Sequence, residues 1–241
     1  NEETDVTAKE GKITASMRYA WKELGVLVEQ LRILENSHGK WQVLFQGRTR
    51  GSKCISVREM ARLISGVSRR GFAPAKDSKA LLGTESQSLI FCENSRLTAG
   101  YGVARAVRED EQVSGDNFSF QMLDNGCCVM AVSDGMGSGY AACKESEMVI
   151  DLIEKFMEAG FLPDTALRMM NSAMVTHGEH NLFSTVDLMR LDLDSGEAAF
   201  YKIGAATTFI RHGKEVRMVT QKSMPVGVFV GQQVPKVTEQ L

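Results

Sequence analysis

Two short acidic motifs hold the residues of this 241-residue chain best suited to chemistry: Ser114-Gly115-Asp116-Asn117 and Ser133-Asp134-Gly135-Met136-Gly137-Ser138-Gly139. The stretches 118–123 and 127–133 between them read as strands, and Asp124-Asn125-Gly126 is a hairpin signal. A hairpin there brings both motifs to one rim. Asp134 then ends a strand, where its side chain projects outward, and the glycines after it let the backbone turn sharply and approach a ligand. Two carboxylates, one backbone carbonyl and several waters suit a hard cation such as Mg²⁺ or Mn²⁺. Each motif alone has a plainer reading, Asp-Gly as a turn and Asp116 as a cap. The glycine run also admits a phosphate loop, but it lacks the Gly-Lys-Ser/Thr ending that sets a lysine on phosphates.

The elements that must position these motifs follow from hydrophobic spacing. Apolar residues recur every three or four positions over 13–34, which predicts one long amphipathic helix. A strand is expected at 41–45. Ser56 and Glu59 have the spacing of a capping box for a helix to about residue 65. Residues 68–83 read as a loop with one short strand, and 86–92 as a strand. Beyond residue 97 short strands follow at close spacing, the first at 102–107. Helices are predicted over 139–159, closed by Gly160, and from Pro163 to about residue 175. Strands return at 185–193, 198–203 and 207–211. Hairpins, a helical hairpin and more hairpins give an α+β class, with helices packed on antiparallel sheets.

Composition bounds the function. With 43% hydrophobic residues, 24% charged and 4 prolines, the chain can bury a sizeable core, which excludes collagen-like and disordered classes. No apolar run approaches the ~18 residues of a membrane span, and the acidic start resembles no signal peptide. The chain therefore reads as soluble, and its first residue, Asn1, predicts a fragment of a longer protein. Five cysteines without a C-x-x-C pair read as free thiols of a reducing cytoplasm. The net charge of −2 divides into +5 over residues 1–100 and −7 over 101–241, with +8 inside 40–79. That basic stretch reads as a solvated face or a dock for an acidic partner. It has no interleaved aromatics, so no nucleic acid is expected.

Several residues take structural readings. His177-Gly178-Glu179-His180 is a loop, because its glycine breaks any helical metal face. Cys127 and Cys128 are small apolar strand residues facing opposite sides. Met148, Met157, Met169, Met170 and Met174 fill a core. Ser184 and Thr185 support the sheet.

From residue 98 to 241 the chain resembles the catalytic domain of the stage II sporulation protein E family, a bacterial branch of the metal-dependent type 2C serine/threonine phosphatases. The resemblance rests on five blocks in order: Tyr101-Gly102-Val103-Ala104-Arg105-Ala106, Val113-Ser114-Gly115-Asp116-Asn117, 131–139 with its Ser133-Asp134-Gly135-Met136-Gly137, Phe183-Ser184-Thr185-Val186-Asp187-Leu188, and Met224-Pro225-Val226-Gly227. Residues 54–83 look more loosely like the family's regulatory segment. The resemblance implies an α-β-β-α type 2C phosphatase-like sandwich at 98–241, preceded at 1–97 by the long helix and a small α/β regulatory module. It makes Asp134 the carboxylate bridging two Mn²⁺ or Mg²⁺ ions and catalytic through them. Gly135 gives a carbonyl to one ion, and Asp116 lies in the immediate metal shell. Arg105 and Arg108 are the candidate phosphate contacts. The implied task is removing phosphate from a phosphoserine of an anti-anti-sigma factor during sporulation, with a cell-division protein as a further partner. The apolar stripe of 13–34 would hold the module against the core or pair two chains as a homodimer. A cytoplasmic-facing site is expected, with the full-length protein membrane-anchored through a segment absent here. Two further family carboxylates, in a second Ser-Asp-Gly and a late Asp-Asp-x-Thr, do not occur after Gly227. Either the domain is truncated before those motifs or the chain as it stands cannot turn over substrate. The alternatives are a non-catalytic phosphatase-fold scaffold or sensor binding a protein partner and, on the glycine run, a nucleotide-binding regulator.

Overall fold

The computed structural model describes residues 3–36, 39–75, 77–107, 109–123, 126–176 and 183–241, which fall into two units, Asn1–Ser95 and Arg96–Leu241. In the first, the elements are β1 (Thr4–Asp5), α1 (Gly11–Glu23), β2 (Val26–Glu35), β3 (Trp41–Thr49), β4 (Ile55–Ser56), α2 (Val57–Ser68), β5 (Phe72–Pro74), β6 (Leu81–Leu82) and β7 (Gln87–Glu93). An antiparallel sheet runs in the order β1-β2-β3-β7-β5. Trp41, Val43 and Phe45 of β3 alternate inward. They meet Met17 and Trp21 of α1 and Met60 and Ile64 of α2 in one core. Trp21 packs edge-on against Phe45 and donates its indole N–H to the Met60 carbonyl at 3.4 Å.

The long helix expected over 13–34 is two elements. Gly25, at φ 86°, ends α1 in a conformation open mainly to glycine. Beyond it Val26, Leu31 and Ile33 are buried on β2, whose register with β3 shifts between Val28 and Gln30. That bulge inserts one residue into the strand's two-residue alternation, so the apolar residues fall at intervals that mimic helical spacing. The stripe is thus covered within the unit, which removes its basis for pairing two chains. Ser56 precedes α2, but its side chain makes no cap hydrogen bond. Its backbone pairs with Leu81, and the Val57 N–H goes to Ala80. The segment 68–83 holds two short strands where one was expected.

The second unit holds β8 (Asp116–Met122), β9 (Cys127–Asp134), α3 (Gly139–Glu158), α4 (Pro163–Thr176), β10 (Val186–Asp192), β11 (Glu197–Ile203), β12 (Thr208–His212), β13 (Glu215–Val219) and β14 (Lys236–Gln240). Five strands form an antiparallel sheet in the order β14-β11-β10-β9-β8. The hairpin α3–α4 covers one face through Val149, Ile153, Leu167 and Met170, which meet Val129, Ala131 and Leu188. Each Val, Leu, Ile or Met among them contributes roughly 1.5–3 kcal/mol when fully buried. On the other face Phe200 meets Val219 of the β12–β13 pair. Helix, sheet and second sheet thus follow in layers, the expected fold class.

Met157, Met170 and Met174 are core residues as expected, whereas Met148 and Met169 are exposed. Both Cys127 and Cys128 are buried, and the Cys127 thiol is pushed up to about 11, chiefly by burial. The strand expected at 102–107 is absent, and residues 101–107 carry no regular structure. They run beside β8 and are held by side chains instead of a ladder, with Tyr101 stacked on Phe120 at 4.4 Å and Arg105 on Asp116. Among the described residues no helix is long and apolar enough to cross a membrane.

Candidate functional site

The β8–β9 hairpin determines where the two acidic residues lie. Asp116 opens β8, Asp134 closes β9, and the register sets them directly opposite each other. Opposed residues of an antiparallel pair have Cβ atoms about 4.5–5.5 Å apart, and like charges there repel. The Asp134 carboxyl is accordingly raised above the ordinary range, first by partial burial, then by the Asp116 charge and a hydrogen bond to it. Such a pair has more to gain from a cation than either carboxylate alone. The Ser114 hydroxyl donates to Asp116 Oδ2 at 3.1 Å and accepts the Asp116 N–H at 3.3 Å. The Asp124-Asn125 turn lies outside the described residues. Its flanks are joined by Leu123 N–H to Cys127 O at 2.8 Å.

Glycine is required at one point and favoured at a second. A side chain at Gly135 would collide with the Ala142 carbonyl of α3, so only glycine lets this helix close on the strand end. A Cβ on Gly115 would stand 3.1 Å from Ala142 Cβ, 3.6 Å from the Gly135 carbonyl oxygen and 3.8 Å from Asp134 Oδ1. It would fill the cradle on which two of the proposed ligand oxygens converge. The residues present therefore fit a divalent cation with Asp116, Asp134 and the Gly135 carbonyl. Among the described residues no group of three or more His, Cys, Asp or Glu side chains is disposed to hold a metal.

Arg105 lies at the same rim. Its Nη2 donates to the Asp116 carbonyl at 2.7 Å and to Asn117 Oδ1 at 3.2 Å, and its guanidinium lies over Phe118. A 370 Å³ groove runs from Asp116 between Tyr101, Val103, Phe118 and Val132. Arg108 and the His177-Gly178-Glu179-His180 segment lie outside the described residues.

Sequence reasoning passed over the residues behind the site. Asn117 donates to the Cys143 carbonyl and to Ser146 Oγ, both at 2.9 Å, and Ser146 donates to the Gly115 carbonyl at 2.6 Å. Those bonds tie the first motif to α3. The available signal was Ser146 itself, a polar residue on a helix face otherwise made of Ala142, Val149 and Ile153. Glu111 is a second omission, its carboxylate lying against Gly139 at the start of α3.

Comparison with known proteins places this geometry. A solved structure of the PP2C phosphatase domain and a fragment of the regulatory domain of the cell fate determinant SpoIIE from Bacillus subtilis matches at 25% identity. Its TM-score is 0.62, over 97% of this chain and 68% of that one. The chain therefore has the fold of the PP2C phosphatases. Residues 124–241, just under half of the chain, match the family model described as Stage II sporulation protein E. Over 140 residues the chain is 34% identical to Stage II sporulation protein E of Priestia megaterium and 35% identical to that of Bacillus subtilis (strain 168). Those matches cover 58% of this chain. Through this region the chain is similar to the stage II sporulation protein E family. It spans 24% and 17% of the length of those two relatives.

Proposed function

We propose that the chain carries part of a metal-dependent protein serine/threonine phosphatase, acting on a phosphoserine protein of sigma-factor regulation during sporulation. The observation that carries this reading is the pairing of Asp116 with Asp134 at one rim, beside a glycine whose carbonyl faces the same space. Asp134 would bridge two cations, the Gly135 carbonyl would bind one, and Asp116 would complete their immediate shell. Mn²⁺ or Mg²⁺ held there supplies neutralisation of phosphate charge and a lowered pKa for water. Arg105 spends one nitrogen on Asp116 and Asn117 and keeps further N–H donors for a phosphate oxygen. Arg108 is proposed as a second phosphate contact. The substrate is proposed as a phosphorylated anti-anti-sigma factor, with a cell-division protein as a further partner and the site facing the cytoplasm. Residues 98–241 hold every proposed site group, and residues 1–97 are proposed to regulate.

Asp134→Ala in the complete gene product tests the reading. Mn²⁺-dependent dephosphorylation of a phosphoserine protein should fall below a tenth of wild type, a barrier increase above about 1.4 kcal/mol. Retained activity would overturn the assignment. With two carboxylates paired at this rim among the described residues, the 241-residue chain by itself is expected to bind manganese weakly and to show no turnover. A second reading, a phosphatase-fold scaffold or sensor for a protein partner, draws on that same sparse ligand set. It predicts partner capture that Asp134→Ala leaves intact. A nucleotide site on the glycine run is disfavoured by the Glu111 carboxylate at the start of α3, where a phosphate would have to sit.

A further inference from the structure

We infer that Ser184 is a positioning residue of the candidate metal site, fixing the direction in which Asp134 and the Gly135 carbonyl are presented. The inference rests on the proposed role of those two residues as metal ligands. Ser184 is fully buried, and its hydroxyl donates to the Asp134 carbonyl at 2.8 Å. A hydroxyl has one proton to give, so the 2.7 Å contact with Ser133 Oγ is one in which Ser133 donates. The backbone of Ser184 bridges Gly135 on one side and Val226 on the other.

Both neighbours of Ser184 act on the peptides that flank Asp134 and Gly135. Thr185 N–H donates to the Asp134 carbonyl at 2.9 Å, and Thr185 Oγ1 accepts the Asp134 N–H at 3.1 Å. The Asp134–Gly135 peptide is held from its other end as well, its N–H donating to the Gly115 carbonyl at 3.2 Å. One residue on, the Met136 N–H donates to the Phe183 carbonyl at 3.0 Å. A trans peptide is planar, so an N–H committed to Phe183 turns the Gly135 carbonyl the opposite way. That oxygen lies on the Gly115 side, where Asp134 Oδ1 also points. A backbone carbonyl has no rotamers, so its direction is set entirely by what holds the peptides around it. Ser184 is the centre of that hold, and its hydroxyl is the side-chain donor in it to the Asp134 carbonyl.

The test compares Ser184→Ala with Ser133→Ala in the complete gene product, by Mn²⁺ titration followed by electron paramagnetic resonance. Ser133→Ala removes the same Ser–Ser bond and leaves the Asp134 carbonyl its hydroxyl donor, whereas Ser184→Ala leaves it the Thr185 N–H alone. Ser184→Ala should weaken Mn²⁺ binding roughly 10- to 100-fold, the usual loss when a residue behind a ligand is removed. Ser133→Ala should stay near wild type. In the metal-free protein, the Gly135 and Met136 amides should exchange faster in Ser184→Ala alone. Should that variant fail to fold, Ser184→Cys keeps the volume with a weak donor and should show the same loss. Wild-type affinity in folded Ser184→Ala or Ser184→Cys overturns the inference, as does equal loss in Ser133→Ala, which would mark a merely structural role. A wild-type protein that binds no Mn²⁺ overturns the ligand reading itself, and the inference with it.

Discussion

Asp116 and Asp134 are held opposite each other by the register of one hairpin, and their repulsion is a cost the fold carries at its candidate site. Asp134→Asn removes one charge and keeps the shape. The metal-free chain should therefore gain thermal stability while Mn²⁺ no longer stabilises it, a combination readable by calorimetry with and without the ion. A stability loss in metal-free Asp134→Asn would mean the pair is not strained. Asp5 shows the opposite electrostatics. Hydrogen bonds from Thr7, with Arg32 close by, lower its carboxyl from 3.8 to about 2. A depressed folded pKa contributes stability that is present above the unfolded value and is lost as pH falls through the folded one. The attachment of β1 to β2 should therefore loosen between pH about 4 and 2. Hydrogen exchange at Val6, whose N–H goes to the Ile33 carbonyl, would report it, and Asp5→Asn should flatten that dependence.

At the scale of elements, β2 and α3 give the sharpest tests. If 26–35 is a strand packed inward through Leu31 and Ile33, Ile33→Ala should cost about 2–5 kcal/mol. Exposed Gln30→Ala should cost well under 1 kcal/mol by comparison. A helix over the same residues would spread the losses at three- and four-residue intervals, which denaturant melts of a short alanine series would reveal. For α3, the contact that matters is Gly135 against the Ala142 carbonyl. Gly135→Ala must push the helix off the strand end, an overpacking cost of typically 1–3 kcal/mol. Because the same shift displaces a proposed ligand oxygen, Mn²⁺ affinity should fall with it. A variant of unchanged stability and affinity would show that α3 yields freely.

For the molecule as a whole, every group proposed for the site and every hydrogen-bond partner described around it lies between residues 105 and 226. The first unit contributes a separate core built on Trp21, Phe45 and Phe91 and carries the positive excess of the chain. Removing residues 1–97 from the complete gene product should thus leave metal-dependent phosphatase chemistry possible while changing its rate or its response to partners. Turnover measured with and without that segment decides the matter. Complete loss of Mn²⁺ binding by the shortened protein would place part of the site in the first unit.

By itself the sequence determined the strand–turn–strand that opposes two carboxylates, because alternation and a turn signal are local and the register follows from them. It also determined the helical hairpin, whose apolar faces and closing Gly160 and opening Pro163 are written in adjacent residues. The family resemblance likewise followed from short blocks in a fixed order, each legible along the chain. Only the tertiary structure decided the fate of 13–34, since a bulged strand and a helix space their apolar residues alike until a partner strand is present to pair with one of them. It also denied residues 101–107 a strand: their apolar pattern is a strand's, but a ladder needs backbone partners, and side chains hold them beside β8 instead. The need for glycine at 135 and the hold of Ser184 on Asp134 were equally out of reach. The first depends on where a helix seven residues on packs against the strand end, the second on a hydroxyl fifty residues away, and no local propensity encodes either packing.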